Sequence, residues 1–262
     1  MDLSLSGKNA LVGGGSKGLG WASAQVLAHL GASVTLVSRS EELMVDLLQK
    51  LPRHAGQNHD YLVADFADPA DVHRKIITLL GIKNIIHILI NNTGGPPSGD
   101  TLHAAPEAFE LAFRQHILCG QLLVQAVVPG MRHANYGRII NIISVSVKTP
   151  IPGLGVSNTI RGAMASWAKS LSNELAADNI TVNNVLPGMT RTDRLNGLIQ
   201  NKAQATGTTI QDVERAMISK IPMGRFGRAE ELGQAVGFLA SPAASYITGI
   251  NLPVDGGRTK TL

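Results

Sequence analysis

Short runs of β-branched and aliphatic residues recur at 9–12, 33–38, 60–63, 85–91, 138–144, 181–186 and 250–254, and the segments between them carry apolar residues at helical spacing. Strands separated by helix-length connections must pair in parallel, because only a crossover brings the chain back to the same edge of a sheet. Helices are expected at 18–30, 41–51, 69–80, 106–131, 156–177 and 229–240. Asp68 before Pro69 marks one of their starts: the carboxylate accepts orphan amide hydrogens, and proline needs no donor in a first turn.

The expected fold class is therefore α/β, a Rossmann-type doubly wound sheet of seven parallel strands with helices on both faces. No Pro/Gly/Ser-rich linker or internal repeat divides the 262 residues, so 1–262 reads as one domain. Residues 190–221 are polar and weakly periodic and follow the sixth strand, where an open α/β sheet binds its ligands; they are expected to form a substrate lid. Met189, Leu195, Leu198 and Ile199 suggest that the lid meets a partly apolar substrate.

Composition removes several function classes. Hydrophobic residues make up 44% of the chain, which supplies a core and excludes general disorder. The net charge of +4 is scattered, and aromatic residues are only 4%, so no nucleic-acid partner is expected. The single cysteine, Cys119, forbids an intramolecular disulfide, and the eight histidines show no metal-ligand spacing, so no metal is expected. With no signal peptide or membrane span expected, the default location is the cytoplasm.

The chemistry begins at Gly14-Gly-Ser16-Lys17-Gly18-Leu19-Gly20, between the first strand and first helix. Glycines at this spacing allow a tight turn and close backbone approach to a pyrophosphate, whose charge meets the helix N-terminus. The second strand ends in Ser38-Arg39, where an NAD site would usually place a carboxylate. Ser38 leaves room, and Arg39 with Lys17 can clamp a 2′-phosphate, so NADP(H) is favoured over NAD(H).

These residues, with Asp65 and Phe66 after the third strand, Asn91-Asn92-Thr93-Gly94 after the fourth, Pro187-Gly188 and Thr192 after the sixth, and Asp255-Gly256-Gly257 near the end, resemble the short-chain dehydrogenase/reductase family over nearly the whole chain. The pattern is most similar to the branch with 3-oxoacyl-acyl-carrier-protein reductases and glucose or gluconate dehydrogenases. Gly13 stands where that family usually has threonine, and Thr93 where it usually has alanine. The resemblance implies that Asp65 meets the adenine, that Asn92, Thr93 and Gly94 border the cofactor, and that Thr192 contacts its nicotinamide end. It also implies a homo-oligomer, dimer or tetramer, built through the helices at 106–131 and 156–177, where Trp167, Ala163, Ala165 and Ala168 would suit close packing.

The implied reaction is hydride transfer between a nicotinamide and a carbonyl or alcohol, in which a tyrosine, a lysine, a serine and an asparagine handle the oxygen and its proton. Only the serine, Ser144, is retained. Ser157 replaces the tyrosine, Arg161 replaces the lysine, and His116 falls at the asparagine position. A serine hydroxyl is a far poorer proton donor than a phenol, so His116 or Lys148 is expected to supply the proton, with Ser144 and Ser157 orienting the oxygen and Arg161 reaching a ribose hydroxyl. Tyr61, Tyr136 and Tyr246 are expected to be structural. The readings are an NADP(H)-dependent oxidoreductase, for which the resemblance implies a substrate such as a 3-oxoacyl thioester, and a catalytically inactive NADP(H)-binding homologue serving as sensor or scaffold.

Overall fold

The computed structural model describes residues 1–261. Seven strands form one parallel sheet: β1 (Asn9–Gly13), β2 (Ser33–Ser38), β3 (Asp60–Val63), β4 (Ile88–Asn91), β5 (Gly137–Ile142), β6 (Ile180–Pro187) and β7 (Asn251–Val254). Their order is β3-β2-β1-β4-β5-β6-β7, so the winding reverses between β1 and β4 and opens a crevice at their carboxyl ends. The expected Rossmann-type α/β fold is the one observed.

Alternation along the strands divides the core in two. Ala10, Val12, Leu36, Ile88 and Ile90 face helices α1 (Gly18–His29), α2 (Glu41–Lys50) and α9 (Ala229–Ala240). Leu11, Val37, Leu89, Ile139 and Val182 face α3 (Pro69–Lys83), α5 (Cys119–His133) and α6 (Gly155–Leu175). Successive residues of a strand point to opposite faces, and both faces are covered, so apolar side chains lie on both sides of the sheet. As expected, Asp68 caps α3 by accepting the Asp71 amide at 3.1 Å, with Pro69 in the first turn.

Register is reinforced by a buried ladder of side-chain amides. Asn91 donates to Asn141 at 2.9 Å, Asn141 to Asn184 at 2.8 Å, and Asn184 to Asn251 at 2.8 Å. These residues are direct partners across β4, β5, β6 and β7. A slip of one residue would turn each amide to the other face, so the ladder favours a single alignment.

The helix expected at 106–131 is interrupted: α4 (Pro106–Phe113) runs through a π-helical turn, Arg114–Leu118, into α5. The run Pro106–His133 is long and apolar enough to cross a membrane by length and composition alone, and half of its most apolar window is buried. Leu123, Val124, Val127 and Met131 place it in the core.

Residues 190–221 contain two helices that the weak periodicity concealed, α7 (Asp193–Thr206) and α8 (Ile210–Ile218). They share a small apolar cluster of Leu195, Ile199, Ala203, Val213, Ile221 and Phe226, separate from the two main cores. Ile199 therefore packs the segment itself. Trp167 likewise serves this chain: its ring covers Gly120, and Nε1 donates to Gln121 at 2.8 Å. Ala165 and Ala168 are buried with it. Tyr136 lies between Lys8 and Arg138, 4.3 and 4.2 Å from its ring centre, and donates to the Ala240 carbonyl at 2.6 Å.

Candidate active site

The crevice at the winding reversal opens into a cavity of about 910 Å³. Its floor is the glycine turn. A Cβ on Gly20 would stand 2.2 Å from the Gly14 carbonyl oxygen, and one on Gly14, where φ is +55°, would stand 2.6 Å from Asn92 Nδ2. Larger residues would displace the turn, so these positions require glycine. Asn92 ties the turn to the end of β4 by donating to the Gly13 carbonyl at 3.1 Å. Lys17 begins α1 without a side-chain cap, which leaves the helix's first amides directed at the crevice. A turn with no room for side chains and uncapped amides behind it fits a dinucleotide pyrophosphate.

Gly14, Ser16, Lys17, Gly18 and Leu19 line the cavity, and Gly20 lies beneath them. Ser38, Arg39, Asp65 and Phe66 line its far end. Ser16 and Ser38 hydroxyls are 2.8 Å apart, and Arg39 lies 3.8 Å from Asp65 with its side chain 78% exposed, free to turn toward a ligand. Asn92, Thr93 and Gly94 line one wall, with Pro187, Gly188 and Thr192 opposite.

At the other end the cavity is bordered by Ser144, Ser157 and Arg161. Ser144 was expected at the end of the fifth strand; it stands two residues beyond β5, where its Oγ accepts the Ser146 amide at 3.0 Å and starts a short 3-10 turn, Val145–Val147. Its hydroxyl hydrogen remains available. Ser157 and Arg161, four residues apart on α6, share one face and are both buried. Arg161 Nη1 donates to the Ile142 carbonyl at 3.1 Å, tying α6 to the end of β5. Burial, and then the charge of Arg194, bring its guanidinium down to about 10, which leaves it cationic at neutral pH.

The two expected proton donors lie elsewhere. His116 sits in the π turn, 3% exposed and outside the cavity lining. Burial, then the charge of Arg161, hold its imidazolium down to about 2, against a hydrogen bond to the Gly94 carbonyl; Nε2 has no partner. It is a neutral core histidine. Lys148 follows the 3-10 turn after Ser144 and is also absent from the lining. Among the described residues, no tyrosine lines the cavity either.

Arg194 was not anticipated. It stands in the first turn of α7, lines the cavity, and donates to the carbonyls of Gly95 and Pro96, both at 3.1 Å. Its only sequence signal was a second arginine following the Thr192 cap. Met189, Leu195 and Leu198 border the cavity as expected, joined by Met217 of α8.

A family model described as Enoyl-(Acyl carrier protein) reductase matches residues 14–259. The chain belongs to the short-chain dehydrogenase/reductase family. Among relatives, it is 31% identical over 255 residues to the 3-oxoacyl-(acyl-carrier-protein) reductase FabG of Rickettsia conorii, covering 97% of this chain and 98% of that one. It is 32% identical over 267 residues to the NADPH-dependent reductase BacG of Bacillus subtilis, covering 98% and 100%. The crystal structure of L-sorbose reductase from Gluconobacter frateurii, complexed with NADPH and L-sorbose, superimposes with a TM-score of 0.93 at 29% identity over 100% of both chains. In this short-chain dehydrogenase/reductase fold, Ser144, Ser157 and Arg161 border one end of the cavity and the glycine turn lies in the same lining.

Proposed function

We propose that the chain is an NADP(H)-dependent reductase of carbonyl compounds in which the fixed charge of Arg161 takes the place of a titrating acid. The observation that carries this reading is that Ser144, Ser157 and Arg161 open onto the same cavity as the glycine turn. Gly14 through Gly20 would seat the pyrophosphate, Lys17, Ser38 and Arg39 the 2′-phosphate, and Asp65 and Phe66 the adenine. Asn92, Thr93, Gly94, Pro187, Gly188 and Thr192 would border the nicotinamide half. When bound, the nicotinamide supplies the hydride. Ser144 and Ser157 then donate hydrogen bonds to the substrate oxygen, and Arg161 stabilises the negative charge that develops there. The final proton comes from water, relayed by a serine hydroxyl.

A second reading is favoured by the absence of a titrating acid on this wall. Where the carbonyl is conjugated to a C=C bond, hydride delivered to the far carbon leaves an enolate on oxygen. An enolate is a weaker base than an alkoxide, so a fixed cation suffices to stabilise it.

In both readings the 190–221 segment serves as a lid, and association into a dimer or tetramer would cover Phe113 and Leu118, which are exposed on the α4–α5 face. The test is NADPH oxidation followed by absorbance across 3-oxoacyl thioesters, diketones, keto sugars and enones, with NADH in parallel. Saturable oxidation with NADPH preferred supports the reading. A preparation that binds NADPH yet oxidises it with none of them would instead favour a non-catalytic sensor or scaffold.

A further inference from the structure

Four arginines line the cavity, and their surroundings differ. Arg39 has Asp65 within 3.8 Å, and Arg258 is supported by the charge of Asp255. Among the described residues, Arg161 and Arg194 have no carboxylate at ion-pair distance. They are instead close enough for Arg194 to depress Arg161, and burial depresses both. Two desolvated like charges without a counter-ion are costly unless a ligand brings the negative charge.

The guanidinium groups also have hydrogen-bonding capacity left. Each has five N–H donors. Arg161 spends one on Ile142, and Arg194 spends two on Gly95 and Pro96. Those two carbonyls hold the Arg194 fork in place from the loop after β4, so it is oriented before a ligand arrives.

A cofactor pyrophosphate is the competing source of charge, and the local geometry separates the two. Thr192 faces the glycine turn, with a Cβ on Gly18 lying 3.4 Å from its Cγ2. Two residues on in the first turn of α7, Arg194 points to a different side, toward the Gly95–Pro96 loop. Ile151, Leu154, Leu198 and Met217 add apolar lining to the same cavity.

Building on the reductase reading, we propose that the substrate is an oxo carboxylate: Arg194 receives its carboxylate, the charge of Arg161 adds to the attraction, and an apolar body rests on the lid. The test uses NADPH-loaded protein titrated calorimetrically with short-chain and aryl oxo carboxylates, each paired with its uncharged methyl ester. At least one carboxylate is expected to bind about tenfold or more tightly than its ester. Arg194→Gln should erase that preference while the NADPH Kd stays within about twofold, and Arg194→Lys should keep part of it. Because the wild-type comparison stands alone, the proposal is decided even if a variant fails to fold.

The proposal is overturned if no carboxylate outbinds its ester, or if Arg194→Gln weakens NADPH as much as the carboxylate, which would assign Arg194 to the pyrophosphate. A carboxylate preference without NADPH oxidation would keep Arg194 as a carboxylate-binding site and defeat the reductase reading. Oxidation confined to esters would do the reverse.

Discussion

Arg39 leaves the end of β2 with its guanidinium in solvent and a carboxylate at the edge of its reach, so its charge is available to a 2′-phosphate. Arg39→Glu should weaken NADPH binding by roughly one to two orders of magnitude and leave NADH binding within a few-fold, as read by fluorescence titration of each nucleotide. Equal losses for both would contradict the assignment. The lining of this end of the cavity was legible because it comes from two short local segments, the glycine turn and Ser38-Arg39. The proposed catalytic end was legible only in part. Ser157 and Arg161 share a helix face by spacing alone, but whether His116 reaches the cavity depends on a π turn that no local pattern encodes. Arg194 became a site residue only because α7 folds back over the loop after β4, a contact between residues 99 positions apart.

At the scale of elements, the asparagine ladder makes the central sheet specific at the cost of burying polar groups. Replacing Asn141 with alanine strands the Asn91 donor and the Asn184 acceptor together. Such a double loss should destabilise the fold by about 2–5 kcal/mol in urea denaturation, since each buried unpaired group costs about 1–3 kcal/mol. A loss below about 1 kcal/mol would mean that water or a shifted side chain replaces the ladder. The strands themselves were visible in the sequence because apolar runs buried on both sides look like little else. The two helices at 190–221 were not, because α7 and α8 bury only a narrow stripe against each other and leave the rest polar.

For the whole molecule, burial of neutral histidines sets an acid limit. His87 is held down to about 4 by burial and then by Lys8, and His116 to about 2 by burial and then by Arg161. Both lie below the unfolded value of 6.5, so the unfolded chain binds more protons as the pH falls, and stability declines on acidification below about 6.5. By about pH 5 each group should have cost up to about 2 kcal/mol, and His87→Gln should flatten part of that decline in denaturation curves. The same neutrality argues against His116 as the acid and supports the proposed role of Arg161 as the charge at the substrate oxygen. The most direct test of that assignment is the pH dependence of single-turnover deuteride transfer from 4-deuterated NADPH to the best substrate found. Incorporation of one deuterium is expected at a rate that is flat from about pH 6 to about pH 9 and declines as Arg161 loses its charge near 10. No incorporation with any carbonyl substrate, or a decline with a midpoint near neutrality that reveals a titrating acid, would contradict it.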